Sequence, residues 1–139
     1  GVVPALARQV GADVIAVDAG VRERTTHLGV VHTGLEPGAT DVRHAIKVGI
    51  KLAAAARNDR LTVLAGGALA STASAVALAG RLVRGDASTS AVGGELALLT
   101  GVALGAGRYG LGYVCDGVGA TAAAALAAAL AILQLAAAT

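Results

Sequence analysis

Apolar positions along this chain switch between a helical and an extended spacing, and the switches divide it into elements. Val2, Val3, Leu6 and Val10 fall on one helical stripe, and Gly11 stands where a left-handed cap closes a short helix over 2–10. Val14-Ile15-Ala16-Val17 is an unbroken, largely β-branched apolar run between Asp13 and Asp18-Ala19-Gly20, which predicts a parallel-sheet strand buried on both faces. Residues 21–39 are polar, hold Arg22, Glu23, Arg24, His27, His32, Glu36 and Pro37-Gly38, and form a long loop in which 28–31 is open to a short strand.

Thr40 or Asp41 can cap the next helix, where Val42, Ala45, Ile46, Gly49, Ile50, Ala53 and Ala56 keep the helical period while Arg43, His44, Lys47 and Lys51 occupy the polar face. A strand over Leu61 to Ala65 follows the charged turn Asn58-Asp59-Arg60, and Gly66-Gly67 leads into a helix of about twelve residues from near Ser71. After a loop over Gly85 to Ser90, a helix runs from near Ala91 to Ala106 with Gly107 as its stop, a strand covers Leu111 to Cys115, and Asp116-Gly117 closes that strand. An Ala-rich helix from Ala120 to Ala138 comes last, with Leu126, Leu130, Leu133 and Ile132 on its packed face.

Helices alternating with short buried strands predict an α/β fold: three layers, Rossmann-like, with a mainly parallel sheet and Ala- and Gly-rich helices, as a single domain over 1–139. The start at Gly1-Val2-Val3-Pro4, without an initiator Met, fits a segment of a larger chain. Composition sharpens this picture. Of 139 residues, 55 % are apolar, yet there is no Phe, Trp or Met and there are only two Tyr, so packing falls to Ala, Val, Leu and Gly. Few aromatics and a net charge of +2 argue against a nucleic-acid binder, which needs stacking surfaces and a basic track. The last helix has the length of a membrane span, but no Lys or Arg follows it and Ala contributes little transfer free energy; a packed helix in a cytoplasmic protein is expected. The single cysteine, Cys115, forms no intramolecular disulfide and is expected as a small buried hydrophobe. His27 and His32 lack the Cys or carboxylate partners of a metal site, so no metal is expected.

Ligands of such folds bind at the carboxyl ends of the strands, here Asp18-Ala19-Gly20, Ala65-Gly66-Gly67 and Asp116-Gly117. Gly66, Gly67, Ser71 and Thr72 sit between a strand and a helix, where free N–H groups and the helix dipole can hold a phosphate, or where a plain turn with an N-cap serine suffices. Asp18 and Asp116 can hold ribose hydroxyls from one rim, or each can cap its own turn. Glu95 follows Gly93-Gly94 in a first helical turn, a position the dipole favours for a carboxylate in any case. Gly101 and Gly105, four apart, open a groove for another helix.

Three stretches carry a family resemblance: Leu6 to Val21, in which a helix runs into a strand ending Val17-Asp18-Ala19-Gly20-Val21; Gly93-Gly94-Glu95-Leu96-Ala97-Leu98-Leu99-Thr100-Gly101; and Tyr113-Val114-Cys115-Asp116-Gly117 with the Ala-rich helix behind it. Together they resemble the nicotinate-nucleotide:dimethylbenzimidazole phosphoribosyltransferases. Ser71-Thr72-Ala73 is similar to the end of that family's phosphate loop, while the acidic residue preceding it in the family falls here on Ala65 or Gly66. The resemblance implies phosphoribosyl transfer from nicotinate mononucleotide to a benzimidazole base in cobalamin nucleotide-loop assembly. It implies a homodimer without a cofactor, and a nucleotide pocket lined by Asp18, Gly66, Gly67, Ser71, Thr72, Gly93, Gly94, Asp116 and Gly117. The segment holding the family's general base has no counterpart, which leaves Glu95 and Asp116 as the acidic candidates near the rim. The alternative is a shortened, non-catalytic relative that binds a nucleotide or pairs with a partner chain.

Overall fold

In the computed structural model, residues 2–20, 30–32, 41–69, 72–90 and 92–138 are described. The elements run α1 (Val2–Gln9), β1 (Ala16–Asp18), β2 (Val30–His32), α2 (Val42–Asn58), β3 (Val63–Gly67), α3 (Thr72–Val83), α4 (Gly94–Tyr109), β4 (Gly112–Asp116) and α5 (Gly117–Ala138). All strand pairing among them is parallel, as the α/β class predicts, but these strands form two separate pairs. β1 lies along β2 with Asp18 opposite His32, and β3 lies along β4 from Val63 opposite Gly112 to Gly67 opposite Asp116.

Of the two candidate caps for α2, Asp41 serves: its carboxylate accepts the His44 backbone N–H at 3.1 Å. The expected faces follow, with Ala45, Gly49, Ala53 and Ala56 buried and Arg43, His44, Lys47 and Lys51 on the side turned away from them. α2 lies closely against α4 because both helices lack side chains at the crossing. A Cβ on Gly49 would meet Leu98 O, with Val102 N at 2.6 Å; one on Gly101 would meet Ile46 O; and one on Gly105 would stand 2.6 Å from the Ala53 Cβ. The groove read from Gly101 and Gly105 thus receives α2 of the same chain. Around this contact Ala45, Ala75, Leu78, Val92, Leu96, Ala97, Ala122 and Leu126 form a core shared by α2, α3, α4 and α5. Thr100 is fully buried on α4, its hydroxyl donating to Leu96 O at 2.7 Å.

Several boundaries differ from the expected ones. β1 begins at Ala16, and Val14 and Ile15 are exposed, so the strand buried on both faces is not what these residues form; β2 is its sole partner among the described strands. The stripe of α1 is likewise exposed. β3 and β4 each start later than expected and run to the end of their mutual register, which makes Gly66 and Gly67 strand residues rather than a turn. α4 continues through Gly107, whose missing side chain faces open space, and stops at Gly110, which takes the left-handed conformation (φ 68°) and donates its N–H to the Ala106 and Gly107 carbonyls. α5 starts at Gly117. It is long and apolar enough to cross a membrane by length and composition, but its first half is packed: Leu126 is buried and Leu130 lies against the core. Ile132 and Leu133, expected on the packed face, are exposed, because burial in α5 stops before Ala131.

Candidate functional site

The carboxyl ends of β3 and β4 form one rim, and three helices start at or beside it. α5 springs directly from β4, α3 begins at Thr72 a short connection after β3, and the first turn of α4 is tied to that connection. The tie is a hydrogen bond from the Leu69 backbone N–H to Glu95 Oε1 at 2.9 Å. The N-terminus of α5 therefore lies at this end of the strand pair and the start of α4 is tied to it, with the Asp116 and Glu95 carboxylates at the same rim.

Each expected site residue can be placed. Gly67 ends β3 and is exposed, and the Asp116 carboxylate lies over it, with Oδ2 3.5 Å from where a Cβ would stand. Asp116 ends β4, is exposed, and passes directly to Gly117, whose positive φ (79°) turns the strand into α5 without a loop. Gly93 is the N-cap of α4 and Gly94 its first, buried residue. Thr72 is the exposed first residue of α3, whereas Ser71 lies outside the described residues. Gly66 is buried beneath the rim. Asp18 belongs to the other strand pair: nearly buried, it accepts the Gly20 N–H at 3.0 Å, which is the turn-capping role weighed for it. The structure thus brings together Gly66, Gly67, Glu95, Asp116 and Gly117.

Tyr113, which the sequence did not mark, underlies this rim. Its ring covers Gly66, and a Cβ there would collide with the Tyr113 hydroxyl. That hydroxyl is buried without a hydrogen-bond partner among the described residues, and burial, with the neighbouring Cys115 adding to it, pushes its pKa up to about 12. Tyr113 stands opposite Leu64, two residues in register from Gly66 on the same face, a pairing that the sequence alone does not show. Cys115 itself is exposed on β4, contrary to the buried position expected of it. Among the described residues no group of three His, Cys, Asp or Glu could hold a metal ion; His27 lies outside them, as do Arg22 and Arg24. A groove of about 500 Å³ between α3 and α5, lined by residues such as Leu82, Val83, Val118 and Ala125, is apolar. Its one hydroxyl, on Thr121, already donates to Gly117 O at 2.9 Å.

Helices alternating with parallel strand pairs define a mixed α/β protein. No protein-family model matches the chain, and no curated protein matches it in sequence. Among solved structures it is similar to the nicotinate-nucleotide-dimethylbenzimidazole phosphoribosyltransferase from Thermus thermophilus, with a TM-score of 0.78 and 23 % identity over 95 % of this chain and 54 % of that one. A structure of CobT from the same organism gives a TM-score of 0.76 at 23 % identity, over 95 % of this chain and 55 % of its own. The likeness is one of fold, it falls on the family that Leu6 to Val21, Gly93 to Gly101 and the Asp116-Gly117 turn resemble, and the chain spans about half the length of either structure.

Proposed function

We propose that this chain forms the nucleotide-binding part of a phosphoribosyltransferase of cobalamin biosynthesis, taking nicotinate mononucleotide as donor and a benzimidazole as acceptor. The observation that carries the reading is the rim itself: Gly67, Asp116 and Gly117 at the ends of paired parallel strands, in a fold shared with solved phosphoribosyltransferases. In the reaction the bond between ribose C1′ and the nicotinate nitrogen breaks, and nicotinate leaves with the bonding pair. The lone pair of one benzimidazole nitrogen forms the new bond to C1′, and the proton on the other nitrogen passes to water. The phosphate stays on the ribose throughout, so a fixed cradle of N–H groups serves the ground state and the transition state alike. Asp116, exposed beside Gly67, has the position to accept hydrogen bonds from ribose hydroxyls. Gly93 and Gly94 at the start of α4, Thr72 at the start of α3, and Ser71 and Asp18 complete the pocket in this reading. It includes a three-layer, Rossmann-like arrangement of one domain over 1–139, a homodimer, a cytoplasmic location, and no role for nucleic acid, membrane, metal or cofactor.

A second reading, a nucleotide-binding relative without catalysis, draws support from Glu95, whose carboxylate is engaged by the Leu69 N–H. One experiment separates the two. The protein is incubated with nicotinate mononucleotide and dimethylbenzimidazole, products are resolved by chromatography, and nucleotide binding is measured by calorimetry. Release of nicotinate with formation of the benzimidazole nucleotide is the expected outcome; binding without turnover selects the second reading, and absence of both rejects the two together.

A further inference from the structure

Resting on that reading, we infer that Glu95 is a positioning residue: by engaging the Leu69 N–H it anchors the connection after β3, so that Gly67 and Ala68 are preset at the rim for the nucleotide. The hydrogen bond from Leu69 N–H to Glu95 Oε1 joins residues 26 apart in sequence. Packing does not hold Leu69 in place, because its side chain is fully exposed, at 102 %. The chain before it is gripped twice, by the parallel register that ends at Gly67 and Asp116 and by Ala68 against Leu99, Ala120 and Ala123. Leu69 is therefore held by the Glu95 carboxylate and not by packing of its own side chain.

The other end of this tie is rigid. Glu95 stands in the first turn of α4, and Gly94 together with every residue from Leu96 to Gly101 is buried, with Gly101 against the backbone of α2. A carboxylate mounted on such a helix holds its partner to a defined place, which is what preorganised recognition needs. The hydrogen bond at Oε1 gives Glu95 a structural task at this connection. Its role is carried by a hydrogen-bond acceptor rather than by a titrating acid, and a glutamine can supply the same acceptor oxygen.

The test compares the wild-type protein with Glu95→Ala and Glu95→Gln, reading amide hydrogen exchange at Leu69 by NMR and the affinity for nicotinate mononucleotide by calorimetry. Glu95→Ala is expected to speed Leu69 exchange and to weaken nucleotide binding, each by about tenfold. Glu95→Gln is expected to keep both within about threefold of wild type. In turnover the alanine variant raises KM for the nucleotide and leaves kcat within about threefold, since Glu95 touches the connection and not the reacting atoms. Unchanged Leu69 exchange in Glu95→Ala, unchanged nucleotide affinity, or a glutamine variant as impaired as the alanine one overturns the inference. Should the wild-type protein bind no nicotinate mononucleotide, the functional reading fails separately. Leu69 exchange then decides whether Glu95 anchors the connection: faster in Glu95→Ala and restored in Glu95→Gln supports it, and unchanged overturns it.

Discussion

Tyr113 and Gly66 show how one residue pair fixes the floor of the rim. The ring needs the space a side chain at Gly66 would take, and in exchange its hydroxyl is removed from water without a partner among the described residues. An unpaired buried hydroxyl is a cost, so Tyr113→Phe is expected to raise stability by about 1 kcal/mol in denaturant unfolding. A loss of that size would instead reveal a partner for the hydroxyl. The raised pKa has a signed consequence. The ordinary tyrosine value is near 10 and the folded value about 12, so the folded protein holds this proton more tightly than the unfolded chain. The stability linked to Tyr113 is full below pH about 10 and is lost as pH rises through about 12, and Tyr113→Phe removes that alkaline loss. At this scale the sequence narrowed to two choices what depends on neighbours in the chain, and the structure selects Asp41 over Thr40 as the cap and shows Asp18 bonding Gly20 two residues on. The sequence did not disclose the meeting of Leu69 with Glu95 or of Gly66 with Tyr113, because both depend on how strands and helices register in space.

Among the elements, α2 was the most legible, since a small or apolar residue at every inward position leaves one way to bury it. The end of α4 was less so. Gly107 and Gly110 look alike in sequence, but α4 passes through the first and caps on the second, and only the conformation at Gly110 distinguishes them. The difference can be measured. Gly107→Ala adds a methyl group to open space in a helix and is expected to stabilise by up to about 1 kcal/mol. Gly101→Ala forces a methyl group onto the Ile46 carbonyl of α2, where backbone cannot give way, and is expected to destabilise by about 1–3 kcal/mol in the same thermal or denaturant unfolding assay. Equal effects at the two positions would mean that α2 and α4 do not approach as closely as the glycines allow.

Across the whole molecule the α/β class was readable from the alternation of helices with short apolar runs, but the partition of strands was not. Val14 and Ile15 resemble the centre of a buried sheet, and they stand exposed beside a strand pair of three residues each. Apolar patterning records what a segment can cover, not which surface covers it. α5 carries the same ambiguity within a single helix, buried as far as Ala127 and exposed from Ala131 onward. Leu126→Ala is accordingly expected to cost about 2–5 kcal/mol, from a side chain with no exposure, while Leu133→Ala stays within about 0.5 kcal/mol. Comparable losses at both positions, measured by chemical denaturation, would show that the far half of α5 is covered in solution.

The absence of any connecting residue between β4 and α5 makes the two a single mechanical part. Asp116 sits at the fulcrum, and α5, at 22 residues, is an arm about 33 Å long. A tilt of about 5° of this whole part, carrying the packed residues as far as Ala127 with it, sweeps the tip of that arm through about 3 Å, given its length. A label placed near Ala138 therefore magnifies motions at the rim that are too small to follow at the rim itself.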